Sequence, residues 1–414
     1  MNYQTGNPQS VDRNVRRSLR MRLASSVAAG AVALAMTGPA MAFVNVGDFG
    51  ASGNGSDATN AIQSAIDTAV SNGGDTVYLP KGTYTISAPL VVANVTGVRI
   101  AGDGINATRL QPSGGMGGKP VVQFVDAVSC SVEDLSILGL PSNPPSAGVE
   151  SDSVSGGEAT HLTIKDVTIG SDGAGSLVDG VKFAAQASAD YNNDMGFFEN
   201  VTIKNFTHAG YSILHSNSLV HSIIGGAIVN GPIGVYTQAG SYKMVGTHLE
   251  NLSDSAFVLD NPNAPQAYQH PIVIADISYK ATNQLLRTGS AALMVSITGA
   301  TVAFAQQPGT IINFQANHGM LFMSNSYLSY GGSNAKFNFV GGANQVVNLT
   351  NNFIGPASLS VNGPLFSQSN CWSGKPALAM SGTSTLMENT EMCGSLKAKT
   401  TAVKQSKSHK KRRA

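Results

Sequence analysis

Lys204, His248, Glu250 and Lys280 are the residues of this chain whose types, if brought together, offer proton-transfer chemistry. A lysine can neutralise a carboxylate and so ease loss of a proton from the adjacent carbon. A histidine can take or return that proton near neutral pH. A glutamate can orient either partner or act as a carboxylate itself. The four lie up to 76 residues apart in the sequence, so only a repeating fold would place them side by side.

Such a repeat is present. Four-residue segments open at Asp134, Asp166, Asn200, Gly226, Gly246, Asp276, Gly299, Asn325 and Asn351, at intervals of 20 to 34 residues. Each opens on Asp, Asn or Gly, and each has a large apolar residue fourth: Ile137, Ile169, Ile203, Val229, Leu249, Tyr279, Val302, Leu328 and Ile354. Strand alternation turns the fourth place inward and the third and fifth outward. A unit of short strands with small or Asx corners cannot bury its inner face alone and must stack on its neighbours. The expected fold class is therefore all-β, a parallel β-helix, with a β-sandwich as the rival architecture. Equal places in successive coils then stack about 4.8 Å apart. The two outward columns gather Thr202, Lys204, Asn230, His248, Glu250, Ser278 and Lys280 on one face. Here Lys204, His248, Glu250 and Lys280 are the expected catalytic groups, with Thr202, Asn230 and Ser278 binding substrate. The plain alternative is a solvated sheet on which Glu250 and Lys280 form a surface ion pair. A one-residue slip in register would turn every side chain over.

A second candidate is the stretch between 166 and 200, read as a long excursion, with Asp172, Asp179, Lys182, Asp190, Tyr191 and Asp194. Asp190 and Asp194 are expected to contact substrate, and Tyr191 to stack on a sugar ring. A carboxylate pair there could hold calcium or serve glycoside hydrolysis as acid and base. Solvated loop acids are the alternative. His208, His215 and His221 share no coil offset and are not read as a metal column, and no Cys or His spacing resembles a zinc site.

Composition bounds the rest. With 46 glycines, 12% charged and 42% hydrophobic residues in 414, the chain can bury a large core but has few charges for its surface. Residues 43–396 hold 12 basic and 23 acidic side chains, a net of −11, which speaks against nucleic acid as a partner. No apolar run in the body reaches the roughly 18 residues of a membrane span. Residues 1–42 read as an export signal: an arginine-rich start, the apolar run Leu23–Met36, then Ala40-Met41-Ala42. A secreted or periplasmic location follows. In such a compartment Cys371 and Cys393 could close a disulfide, or remain two buried thiols, while Cys130 suits a small core position. The tail 397–414 carries eight Lys or Arg and no acid; it is expected to be disordered and either to touch anionic envelope polymers or simply to solubilise the chain.

The stretch 43–104 is the most legible locally. It reads as a strand at Phe43–Val46, a turn, a helix capped by Asp57 with Ala61, Ile62, Ala65, Ile66, Ala69 and Val70 on one face, and a stop at Gly73-Gly74. Asp48-Phe-Gly-Ala51, Asp57-Ala-Thr-Asn-Ala-Ile-Gln-Ser-Ala-Ile-Asp67, Val77-Tyr-Leu-Pro-Lys-Gly-Thr-Tyr84 and Ile100-Ala-Gly-Asp-Gly104 resemble the N-terminal segment of the pectate-lyase-3 superfamily. The resemblance implies a single-stranded right-handed parallel β-helix over 43–396 with a short N-terminal capping helix. It further implies an extracellular, acidic polysaccharide as substrate, acted on by a lyase or a glycoside hydrolase. A noncatalytic carbohydrate-binding or surface-structural β-helix is the alternative, because fold does not fix activity. The aspartate motifs of galacturonan hydrolases are absent: the chain has no Asn-Thr-Asp and no Asp-Asp, and Asn317-His318-Gly319 is a partial echo of Gly-His-Gly. Arg287, the one arginine between Arg109 and the tail, has no acidic neighbour in sequence.

Overall fold

The computed structural model describes residues 43–392, apart from 155–156, 185–191, 215–216, 239, 261–270, 282, 305–308, 331–334, 343, 375 and 382–385. The export segment, the basic tail, Asp190, Tyr191 and Cys393 lie outside the described residues.

Every strand pairing among the described residues is parallel, which removes the β-sandwich. The chain winds through three parallel sheets in turn, each strand pairing with the equivalent strand one coil later. A representative coil runs from His221–Ile224 in the first sheet, through the start of Ala227–Thr237 in the second, to the end of that strand in the third. The inner residues form one continuous apolar column from Val46 to Trp372. Burying each Ile or Leu of that column stabilises by roughly 1.5–3 kcal/mol.

The corners explain the Asp/Asn/Gly column. Asp134, Asp166, Asn200, Gly226, Gly246, Asp276, Gly299, Asn325 and Asn351 all have φ between 51° and 69°. That left-handed conformation is one that only Gly, and more rarely Asn or Asp, adopts readily. The fourth residues face inward as expected, with Ile137, Ile169, Ile203, Leu249, Tyr279, Val302, Leu328 and Ile354 at most 1% exposed. Val229 is the exception. In that coil Ile203 pairs with Ile228, and Ile228 in turn with Leu249. The corner equivalent to Asn200 is therefore Gly225, not Gly226, and its φ of 65° is equally left-handed.

The helix Thr59–Ser71 buries Ile62, Ala65, Ile66 and Ala69 against the first coils, beside Val77 and Ile100. Asp57 sits one position earlier than expected: Ala58 is the cap, and Asp57 accepts the Thr59 N–H at 3.0 Å and its hydroxyl at 2.6 Å. The strands Phe43–Asn45 and Asn54–Asp57 of the first coil pair on one side only among the described residues. No helix among the described residues is long and apolar enough to cross a membrane. Cys371 is disulfide-bonded. Cys130 is a free, buried thiol, and burial pushes its pKa up, as suits an inert core residue.

Candidate functional site

The second sheet places Thr202, Lys204, His248, Glu250, Ser278 and Lys280 on one outward face. Thr202 aligns with Ala227, Ala227 with His248 and His248 with Ser278; Lys204 aligns with Val229, Val229 with Glu250 and Glu250 with Lys280. Asn230 is not in this column. The slip at Gly225-Gly226 puts Val229 in its place and leaves Asn230 at a corner, with φ 60° and its Oδ1 accepting Asn251 Nδ2 at 3.0 Å. The charges on this face are paired with one another, on a surface that stays open to solvent. Lys204, two coils from Glu250, pairs with Asp172 at 2.5 Å. Glu250 takes the Lys280 ammonium on Oε1 and His248 Nε2 on Oε2 at 3.3 Å, while His248 Nδ1 lies 2.8 Å from Ser278 Oγ. Lys280 first, then His248, holds the Glu250 carboxyl below the usual carboxylate range.

A different constellation forms on the third sheet, and two of its residues, Asp179 and Lys182, fall in the stretch expected to be an excursion. Asp179 and Lys182 lie on the strand Leu177–Phe183, which pairs with Ala147–Asp152 on one side and Phe206–Ile213 on the other. A column of glycines kinks these strands. A Cβ on Gly180 would sit 2.4 Å from Ile203 Cγ2, and one on Gly210 2.5 Å from Ile228 Cγ2, so the strand must press against the second sheet here. The residue before each glycine, Asp179 or Ala209, turns outward. Asp179 is 4% exposed, and its Oδ1 accepts the Ala209 N–H at 3.1 Å and lies 2.7 Å from His208 Nδ1. An ionised carboxylate can only accept, so it fixes the proton on Nδ1 and leaves Nε2 as the free basic nitrogen. The bond to Asp179 raises the His208 pKa above its ordinary value, against the opposing effect of burial.

Later coils supply a phenol, Tyr236, and a cation, Arg287, and the Asp179 strand itself supplies Lys182. Tyr236 meets His208 edge-on at 5.0 Å between ring centroids. It packs on Ala209, Ile233 and Val258, a small apolar cluster outside the main core. Burial and Asp260 raise the Tyr236 pKa while Arg287 lowers it, so the guanidinium lies within electrostatic reach of the phenol. Glu150, Lys182, Ser212, Tyr236, Val258 and Arg287 align coil by coil along the rod. Lys182 pairs with the almost buried Glu150 at 2.7 Å, and Arg287 Nη2 with Asp254 at 2.7 Å. Asp254 lies 33 residues away in sequence, and only the coil period brings it to Arg287. Ser212 Oγ and Arg287 Nε are buried with no hydrogen-bond partner in this otherwise paired column. Unpaired buried donors carry a desolvation cost.

Asp194 lies away from this column. One carboxylate oxygen is buried without a hydrogen-bond partner, and burial raises its pKa despite the nearby His161. Among the described residues no group of three His, Cys, Asp or Glu side chains could hold a metal ion. His221, also singled out in sequence, is a core residue: Nδ1 accepts the Gly196 N–H, Nε2 meets Ser218 Oγ, and burial drops its pKa to about 3.

This is the outer surface of a pectate-lyase-like rod, and sequence comparison agrees. Residues 43–255, just over half of the chain, match the family described as rhamnogalacturonase A/epimerase, pectate lyase-like, and the protein belongs to that family of carbohydrate-active β-helices. Shorter matches join it to two proteins of Azotobacter vinelandii. Mannuronan C5-epimerase AlgE1 is 48% identical over 75 residues, 16% of this chain and 5% of that protein. Alginate lyase 7 is 61% identical over 44 residues, 10% of this chain and 5% of that protein. The matches thus span a small part of either relative. Among solved structures, the catalytic domain of a GH87 α-1,3-glucanase in complex with nigerose superposes with a TM-score of 0.55 at 15% identity, covering 80% of this chain and 66% of that one. That likeness is one of fold.

Proposed function

We propose that the protein is an exported enzyme that removes the proton beside the carboxylate of a uronate unit in an acidic polysaccharide and completes a β-elimination. The single observation that carries this reading is the Asp179–His208 pair, which leaves Nε2 as the basic nitrogen of a partly exposed imidazole beside the Tyr236 phenol. Loss of a carbon-bound proton next to a carboxylate is slow unless the carboxylate's charge is neutralised. Arg287, partly exposed and paired with Asp254 through Nη2, is suited to that task, with Lys182, paired with Glu150, further along the same column. His208 Nε2 takes the C5 proton, the C5–H electrons form the C4–C5 double bond, and the C4–O bond breaks. The Tyr236 hydroxyl protonates the departing oxygen and regains its proton from His208.

C5 epimerisation shares the first step and is favoured as the second reading by the similarity to mannuronan C5-epimerases. It differs only in that the C5 carbanion is reprotonated from the opposite face.

The test is incubation with a panel of uronans, with and without calcium, following ultraviolet absorbance, reducing ends and deuterium incorporation at C5. Absorbance rising with reducing ends identifies elimination, and deuterium without new ends identifies epimerisation. Reducing ends alone mean hydrolysis, and binding with no change in any channel means a noncatalytic protein. Either of the last two outcomes overturns the proposal.

A further inference from the structure

The second sheet carries a separate arrangement that the uronate site does not use. Ser278 Oγ, His248 and Glu250 are joined in series: 2.8 Å from Ser278 Oγ to His248 Nδ1, and 3.3 Å from His248 Nε2 to Glu250 Oε2. The order of a hydroxyl, an imidazole and a carboxylate is that of an activated oxygen nucleophile, which is recognised by roles and geometry rather than by sequence order. Glu250, held ionised by Lys280, can only accept, so it fixes the imidazole proton on Nε2. The lone pair of Nδ1 then faces Ser278, whose hydroxyl donates to it.

Two further features favour acyl transfer over a passive surface network. Ser278 is exposed and lies at an open sheet face, so a polymer-borne ester can reach its Oγ. Lys280 follows two residues later on the same outward face, and Thr301 aligns with Ser278 in the next coil. A hydroxyl thus neighbours Ser278 in the next coil, while the Lys280 ammonium holds Glu250. Lys204, ion-paired with Asp172 two coils away, takes no part.

We propose that Ser278, His248 and Glu250 form a second catalytic site, which hydrolyses short O-acyl esters such as acetyl groups on carbohydrate hydroxyls. Ser278 Oγ attacks the ester carbonyl as its proton passes to His248 Nδ1. The C–O bond to the sugar breaks, and the sugar oxygen takes that proton. Water, deprotonated by His248, then attacks the acyl-serine and releases the carboxylic acid and free Ser278. The balance is ester plus water to acid plus alcohol, with no other reactant. This proposal does not depend on the reaction at His208.

The test uses the full chain with a fluorophosphonate probe, located by peptide mass spectrometry, and with 4-nitrophenyl acetate as the ester. One label per chain is expected on Ser278, with ester turnover lost at least 100-fold in both Ser278→Ala and His248→Ala, and reduced about tenfold in Glu250→Gln. Circular dichroism melts of Ser278→Ala and His248→Ala should match the parent. Absence of label, label on another residue, or labelling undiminished in His248→Ala would overturn the assignment.

Discussion

His208 and His248 each hydrogen-bond a carboxylate on the outside of the same rod, His208 to Asp179 at 2.7 Å and His248 to Glu250 at 3.3 Å. Their surroundings differ. Asp179 is buried and is also held by a backbone N–H, while Arg287 retains a buried donor with no partner. Around His248, Lys280 and Glu250 neutralise each other, and the imidazole's other nitrogen is taken by a serine hydroxyl. The first arrangement leaves one imidazole nitrogen without a protein partner, in a column where Lys182 and Arg287 are each ion-paired but one guanidinium N–H is not. The second spends its charge internally and presents a nucleophile. Under the two proposals, a carboxylate–imidazole pair serves two chemistries according to what its neighbours leave unpaired.

The sharpest way to break this contrast is His208→Ala, which should lower uronate turnover at least 100-fold, the usual worth of a general base, while fluorophosphonate labelling persists. If both activities fall together, the two sites are one. Next in size is Gly210→Ala. Its Cβ would meet Ile228 Cγ2 at 2.5 Å and Gly234 O at 2.8 Å, so urea denaturation should show a loss of about 1–3 kcal/mol. Because Gly210 lies two residues from His208, turnover should fall in the folded variant as well.

Asp179→Asn should have a smaller effect, about tenfold on uronate kcat/KM near neutral pH. It should also move the ascending limb of the pH profile to lower pH. The raised His208 pKa means that the free base forms only above that value, and removing Asp179 lets it form earlier. By the same linkage, the Asp179–His208 bond stabilises the fold at low pH and loses that contribution as pH rises through the raised value. The smallest effect is expected for Lys280→Ala, below about 1 kcal/mol of stability by denaturant titration, as for other exposed ion pairs. Glu250 works with the opposite sign to His208: its lowered pKa adds stability above the ordinary carboxylate range, which is lost as pH falls through the lowered value.

The fold was legible in sequence because its corners demand left-handed backbone, and that demand narrows the residue choice to Asp, Asn and Gly. The same rule caused the one register error. At Gly225-Gly226 two adjacent residues both satisfy it, and Ile228 and Val229 are both acceptable as an inner residue. The third-sheet site was not legible, for two reasons. The strand Leu177–Phe183 carries a register shift between Leu177 and Asp179 and places Gly180 against the core, so alternation fails where Asp179 turns outward. His208 falls one residue before Ala209, the register partner of Asp179, and therefore shares no coil offset with other histidines. The buried intervals between coils were the recoverable signal: Asp179 and His208 are 29 residues apart and Asp254 and Arg287 33, both within the 20–34-residue repeat.

The helix Thr59–Ser71 has a consequence beyond closing the core. A parallel rod has edge strands only at its ends, where unpaired amides and carbonyls stand ready to recruit another chain. Phe43–Asn45 and Asn54–Asp57 are such an edge, and the helix lies across the apolar end between them. Among the described residues the helix covers the apolar end of the column rather than the strand edges, so the barrier it sets to end-to-end addition is one of bulk, and its removal is the change expected to favour stacking of whole molecules.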